Sequence, residues 1–214
     1  MKTRVAEILL NLQAVILNSK EPFTYASGIK SPIYCDNRVI ISDVKSRDEI
    51  IDAFCELIEE KNIKFDVVAG TATAGIPHAA WIADRFKLPM IYVRSGKKEH
   101  GRKNQIEGRI HSEQKVLLVE DLISTGGSSL RCAEAISETG AEVVACVAIF
   151  SYEMKKAQES FNNAKIPLYT LSDFNTLIEF AKQNKLIEES EAGIICSWNK
   201  DPQNWYSDTF SENK

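Results

Sequence analysis

Apolar residues recur at helical spacing in the first part of the chain and in short unbroken runs further on. Val5, Ile8, Leu9, Leu12, Val15 and Ile16 form one stripe over residues 4–18, which predicts an amphipathic helix ended by Glu21-Pro22. Phe23 to Arg38 places the turn formers Ser27-Gly28 and Ser31-Pro32 between short aromatic runs and predicts a small hairpin or hood. Ser42 is the expected cap of a second helix with core face Val44, Ile50, Ile51, Phe54, Leu57 and Ile58. From Phe65 on, the runs Phe65–Ala69, Met90–Val93, Lys115–Val119, Glu142–Phe150 and Ile166–Leu171 predict strands, several without polar alternation, as in strands buried on both faces. Helices are expected over Ile76–Phe86, Ser128–Glu138 and Phe174–Gln183. Strands and helices alternating at this pitch predict an α/β fold with a mainly parallel sheet flanked by helices. In such sheets ligands bind beyond the carboxyl ends of the strands, here after Ala69, Val93 and Val119.

Two connections break the pattern. Ser95–Gln114 is long, glycine-containing and basic, with Lys97, Lys98, His100, Arg102, Lys103 and Arg109. A loop of that length in a compact domain is expected to be functional. The last fifteen residues, Lys200–Lys214, are polar and expected to fray at the end.

With 214 residues, 26 Lys plus Arg and 30 Asp plus Glu, the chain has a formal net charge of -4, which argues against a nucleic-acid partner. No apolar run is long enough to span a bilayer, so no membrane partner is expected. The stretch after Met1-Lys2-Thr3-Arg4 is interrupted by Glu7, Asn11 and Gln13, unlike a secretory leader. Five scattered cysteines (Cys35, Cys55, Cys132, Cys146, Cys196) read as reduced thiols of a cytoplasmic protein. With three histidines and no His-Glu-x-x-His, no protein-caged metal is expected. His78, inside a helix beside Trp81, reads as a hydrogen-bonded structural histidine.

The chemistry concentrates after one apolar run. Val116 to Val119 lead into Glu120 and Asp121, then Leu122, Ile123, Ser124, Thr125, Gly126, Gly127 and Ser128 at the start of a helix. Glycines there let backbone amides converge on one anion, and the helix adds unpaired amides and its dipole, which suits a phosphate monoester. The two acids would repel a phosphate and suit hydroxyl donors one sugar-length away. Neither Gly-x-x-x-x-Gly-Lys-Ser/Thr nor Gly-x-Gly-x-x-Gly is present, which removes the usual warrant for triphosphate hydrolysis or dinucleotide binding.

This segment closely resembles the 5-phosphoribosyl-1-diphosphate (PRPP) binding motif of type I phosphoribosyltransferases. Phe23-Thr24-Tyr25-Ala26-Ser27-Gly28-Ile29-Lys30-Ser31-Pro32-Ile33-Tyr34 resembles the N-terminal hood of the orotate-specific family. Gly70-Thr71-Ala72-Thr73-Ala74-Gly75 is similar to its diphosphate-facing loop, and Tyr92-Val93-Arg94 through Gly108 to its mobile catalytic loop. The resemblance implies one type I phosphoribosyltransferase domain over 1–214, with hood elements in about 1–40 and the mobile loop at about 95–114. It implies transfer of the phosphoribosyl group from PRPP to orotate with Mg²⁺ carried by PRPP, in pyrimidine synthesis. A homodimer is implied, with the mobile loop reaching the neighbouring site. By position, Glu120 and Asp121 would hold the ribose and Ser124–Ser128 the 5-phosphate, with Leu122 and Ile123 in the same PRPP segment. Thr71–Gly75, Arg94, Lys97, Lys98 and His100 would meet the diphosphate. Lys98, His100 and Asp121 are the expected catalytic residues, and Ser124, Lys30 and Tyr34 the expected orotate contacts.

The chain departs from the better-known branch of that family at four cationic positions, occupied here by Ala26, Ala74, Ser95 and Tyr152. Lys97 and Lys30 are the candidates to replace them. Two other readings stand beside the orotate one. A phosphoribosyltransferase for a purine or uracil would share the PRPP site, but the hood sequence favours orotate. A PRPP-sensing regulator would carry an added DNA-binding domain or a basic RNA-binding face, and the acidic balance argues against it.

Overall fold

The structure, a computed structural model, describes residues 1–94, 96 and 105–210. It opens with α1 (Lys2–Asn11), which buries Val5, Ala6, Ile8 and Leu9. The helix is shorter than the apolar spacing predicts. Gln13 takes a left-handed conformation (φ 54°), and Val15–Leu17 forms strand β1 instead of two further turns. Two β-branched residues followed by Leu suit an extended strand, and this one finds a partner. Hairpin β2 (Phe23–Thr24) and β3 (Lys30–Ser31) turns at Gly28 (φ 85°), and β4 (Ile33–Cys35) pairs with β1 in the register Ile16↔Tyr34. The predicted hood is this pair of ribbons.

A 3₁₀ turn over Asn37–Ser42 leads into α2 (Val44–Glu60). Asp43, not Ser42, caps α2 by accepting from the Ser46 amide at 2.8 Å, while the Ser42 hydroxyl turns back to the Val39 carbonyl. Ile50, Ile51, Phe54, Leu57 and Ile58 are buried as expected, but Val44, at the first helical residue, is uncovered at 60% exposure. The sheet then builds from β5 (Val67–Thr71), α3 (Gly75–Phe86), β6 (Met90–Val93), β7 (Ile106–Glu107), β8 (Lys115–Ile123) and α4 (Gly127–Ser137). It continues through β9 (Glu142–Ser151), α5 (Lys155–Ala164), β10 (Leu168–Asp173) and α6 (Phe174–Gln183). Helices α7 (Glu189–Lys200) and α8 (Trp205–Phe210) complete the described chain.

The six strands lie in the order β10-β9-β8-β5-β6-β7, parallel throughout except for β7. Chain order reverses direction between β5 and β8, so their carboxyl ends frame the crevice where such sheets bind ligands. Side chains of β8 alternate between two cores. Leu117 and Val119 pack with α1, α2, α3, α6 and α7, and Val116 and Leu118 with α4 and α5.

Several strands are displaced from their predicted limits. β5 ends at Thr71 rather than Ala69, and β10 begins at Leu168 rather than Ile166. β7 lies inside the segment 95–114 that was expected to be a loop, because Ile106 and Glu107 find an antiparallel partner in β6. β8 runs on to Ile123, so Glu120 and Asp121 lie inside the strand rather than after it, held by the register Glu120↔Ala148 and Ile123↔Ser151. The C-terminal segment reads as polar, yet α8 within it buries Trp205, whose indole N–H donates to the Ile194 carbonyl and the Ser197 hydroxyl; the fraying expected at its end falls on residues 211–214, outside the described residues. Trp198 of α7 is fully buried and donates to the Lys30 carbonyl at 3.1 Å, bracing hairpin β2–β3. No helix among the described residues is long and apolar enough to cross a membrane.

His78 is fully buried, edge-on to Trp81 with ring centroids 5.7 Å apart. Its expected hydrogen bond is missing: neither ring nitrogen has a partner among the described residues. Burial lowers its pKa from 6.5 to about 4. Between those values the unfolded chain takes up a proton that the folded chain refuses. Stability is therefore intact above pH 6.5 and falls by about 3 kcal/mol on acidification toward pH 4. His78→Leu is expected to raise the urea midpoint at pH 7 and to flatten its decline between pH 6.5 and pH 4; a midpoint that declines as in the parent protein would assign the slope to other groups.

Candidate active site

At the carboxyl ends of β5 and β8 the two strands are tied together. The buried Thr71 hydroxyl donates to the Val119 carbonyl at 3.1 Å. The chain then turns through Ala72, Thr73 and Ala74, with a cis peptide between Ala72 and Thr73, and α3 starts at Gly75. Gly75 is there because nothing larger fits: a methyl group would overlap the Val119 carbonyl oxygen and lie 2.5 Å from Thr71 Oγ1. The predicted diphosphate loop, Thr71–Gly75, is thus pressed onto the end of β8, with Thr71 itself still in the strand.

Strand alternation separates the two carboxylates. Glu120, 6% exposed, faces α4: one oxygen accepts from the Ser129 hydroxyl at 3.1 Å and the other from the Asp121 amide at 3.1 Å. Asp121 faces the hood, and its carbonyl accepts from Asn37 Nδ2 at 2.8 Å. Desolvation first, and the neighbouring Glu120 second, raise the Asp121 pKa from 3.8 to about 7. A carboxyl so placed gains from a ligand that donates hydrogen bonds to its ionised form.

Beyond Asp121, Leu122 and Ile123 finish the strand, and Ser124 and Thr125 lead into Gly126 in the left-handed region (φ 79°). A side chain at Gly126 would also meet Phe161 of α5 at 2.8 Å. The Ser124 hydroxyl accepts from the Thr125 amide at 2.6 Å, and Gly127 and Ser128 open α4 with amides that have no intrahelical acceptor. A left-handed residue followed by a helix start is a concave row of N–H groups, a geometry suited to an anion.

Thr71, Ala72, Arg94, Gln105, Ser128 and Arg131 line one narrow cleft of about 20 Å³. The sequence-predicted Ser128, Arg94 and diphosphate loop therefore do converge. Arg94 is held there by an ion pair with Glu107 (3.3 Å), and its amide donates to the Gln105 carbonyl at 2.9 Å. Arg131 was not anticipated, although its i+3 spacing from Ser128 on α4 places both on one face. Lys30 is not drawn into this set. Its Nζ donates to Thr24 Oγ1 at 2.7 Å and lies 5.7 Å from the Tyr206 ring centre. Tyr34 is 38% exposed at the hood, its ring 5.6 Å from Phe23. Lys97, Lys98 and His100 lie outside the described residues. Tyr152, at one of the four departing positions, is buried among Phe150 and Trp198 with its hydroxyl 3.2 Å from that of Tyr25. A larger cleft of about 680 Å³ runs along β10, three strands from β5, and contains none of these groups.

Comparison with known proteins places this geometry. Residues 40–182 match the phosphoribosyl transferase domain family. The orotate phosphoribosyltransferase of Coxiella burnetii is 57% identical over 203 residues, covering 95% of this chain and 97% of that protein. That of Enterococcus faecalis is 51% identical over 94% of this chain and 96% of its own length. Among solved structures, the Aeropyrum pernix orotate phosphoribosyltransferase superposes with a TM-score of 0.75 at 27% identity, covering 86% of this chain and 99% of that one.

Replacing Gly75 by Ala is expected to lower the stability of the fold by about 1–3 kcal/mol, as overpacking a core does, and to displace Thr71–Gly75. Urea denaturation of Gly75→Ala checks this, and an unchanged midpoint would show that the strand ends separate freely.

Proposed function

The chain belongs to the orotate phosphoribosyltransferase family, and from that premise we propose how its residues divide the work. The enzyme transfers the 5-phosphoribosyl group of PRPP to orotate, giving orotidine 5′-monophosphate and diphosphate in pyrimidine biosynthesis. A ring nitrogen of orotate forms the new bond to C1 of the ribose as the bond from C1 to the diphosphate oxygen breaks. No enzyme nucleophile is needed.

The observation that carries the assignment of roles is the adjacency of an amide-lined turn and a carboxyl that repels anions. Ser124–Ser128 receive the 5-phosphate, through the free amides of Gly127 and Ser128 and the hydroxyls of Thr125 and Ser128. Asp121 accepts from the ribose hydroxyls. Glu120, already engaged by Ser129 and the Asp121 amide, contributes its remaining lone pairs and fixes the strand end. With the phosphate at one end and the acids in the middle, C1 points toward Thr71–Gly75 and Arg94, where the diphosphate gathers negative charge on leaving. Cations placed there stabilise that charge most when water is excluded.

Lys98 and His100 supply further positive charge from the connection between β6 and β7, together with Lys97. Mg²⁺ would enter as part of the substrate, on the diphosphate of PRPP; the hard oxygen donors of that group suit it better than Glu120, whose oxygens already accept from Ser129 and the Asp121 amide. Residues 1–214 act as one domain, a reading supported by α1, the hood and α7 sharing a core with the sheet. A homodimer follows from the resemblance, and a cytoplasmic location is supported by five unpaired cysteines.

Purified protein with PRPP, Mg²⁺ and one base at a time, followed by ultraviolet absorbance, is expected to consume orotate. Turnover of adenine, guanine or uracil without orotate would overturn the substrate. Lys98→Ala is expected to lower kcat far more than it weakens PRPP binding, and an unchanged kcat would remove Lys98 from the chemical step.

A further inference from the structure

Orotate carries a carboxylate on its ring, and uracil does not. A carboxylate brought into a closing site needs a cation with hydrogen-bond donors to spare. The Asp121 face of the strand end is covered by the 3₁₀ turn, latched there by Asn37 Nδ2 on the Asp121 carbonyl at 2.8 Å. The next residue, Arg38, sets its guanidinium in place through both oxygens of Asp36: Nε to Oδ1 at 2.6 Å and Nη2 to Oδ2 at 2.7 Å. Asp36 also accepts from the Arg38 amide at 3.1 Å, so backbone and side chain are fixed together.

A guanidinium has five N–H donors, and this one spends two. The rest are available on a side chain 64% exposed to solvent. Its neighbours along the chain tie it to both sides of the site: Tyr34 lies in β4 of the hood, and Asn37 is bonded to the Asp121 carbonyl. Lys30 is less suited, since its ammonium, turned to Thr24 and the Tyr206 ring, has no planar fork for two carboxylate oxygens. Tyr152 and Ala26 bring no charge.

We propose that Arg38 is the specificity-determining cation that receives the orotate carboxylate, with Asp36 as the positioning residue that aims it. The inference rests on the orotate reading above. An arginine fits the role because its fork meets both carboxylate oxygens at once and stays charged at every working pH.

Orotidine 5′-monophosphate and uridine 5′-monophosphate differ only in this carboxylate, so their inhibition constants separate a carboxylate contact from a general weakening of the site. Wild-type enzyme that fails to turn over orotate would sink the substrate reading itself, before any variant is made. Given that turnover, Arg38→Gln is expected to raise the KM for orotate about 10- to 100-fold. KM for PRPP and inhibition by uridine 5′-monophosphate should stay within about twofold, while inhibition by orotidine 5′-monophosphate weakens with the orotate KM. Asp36→Asn, which keeps the cation but loosens its aim, should raise the orotate KM less than Arg38→Gln. Should the glutamine variant not fold, Arg38→Lys retains the charge without the fork and is expected to weaken orotate alone by about fivefold. An unchanged orotate KM, or an equal loss for both nucleotides, would overturn the proposal.

Discussion

The parallel pairing of β5 with β8 carries everything placed above it. Where these strands end, the Thr71 hydroxyl closes onto the Val119 carbonyl and Gly75 admits the start of α3 against the same atom. Both contacts lie one residue before Glu120. The turn after β5 and the acids of β8 therefore share one reference point, and any shift of register between the strands would move them apart. The interior here is close-packed, so such a shift has no room to be gradual.

Charge is arranged around that point with economy. Glu120 is turned inward and held by hydrogen bonds, while Asp121 is left half-buried beside it with its pKa raised. Two ionised carboxylates next to an anion-binding turn would repel both each other and the ligand. Placing one under α4 and the other toward the hood lets a single strand end set a row of amide donors and a carboxyl acceptor within a few residues.

Much of this was legible in the chain. The runs at Met90–Val93 and Phe174–Gln183 match the observed elements because their patterns carry strong punctuation: Pro89 before the strand and Asp173 as a helix cap. The acidic pair and Ser124–Ser128 were visible because their residue types serve little else. Other features depended on tertiary partners. Val15 and Ile16 fit a helical stripe as well as a strand, and only pairing with β4 decides between them. Helix α5 buries little more than Ala157 and Phe161, too thin a stripe to read. Asn37 and Arg38 look like ordinary polar residues until the turn is seen docked on Asp121. The fold of the C-terminal segment depends on Trp205 reaching Ile194 and Ser197, which local composition does not reveal.

Trp198 joins distant parts of the chain: its ring packs on Tyr25, Tyr152 and Phe174, and its N–H holds the Lys30 carbonyl. A hairpin near the start of the chain is thereby tethered to a helix 168 residues further along, so the ribbon β2–β3 gains this anchor only once α7 has docked on the sheet.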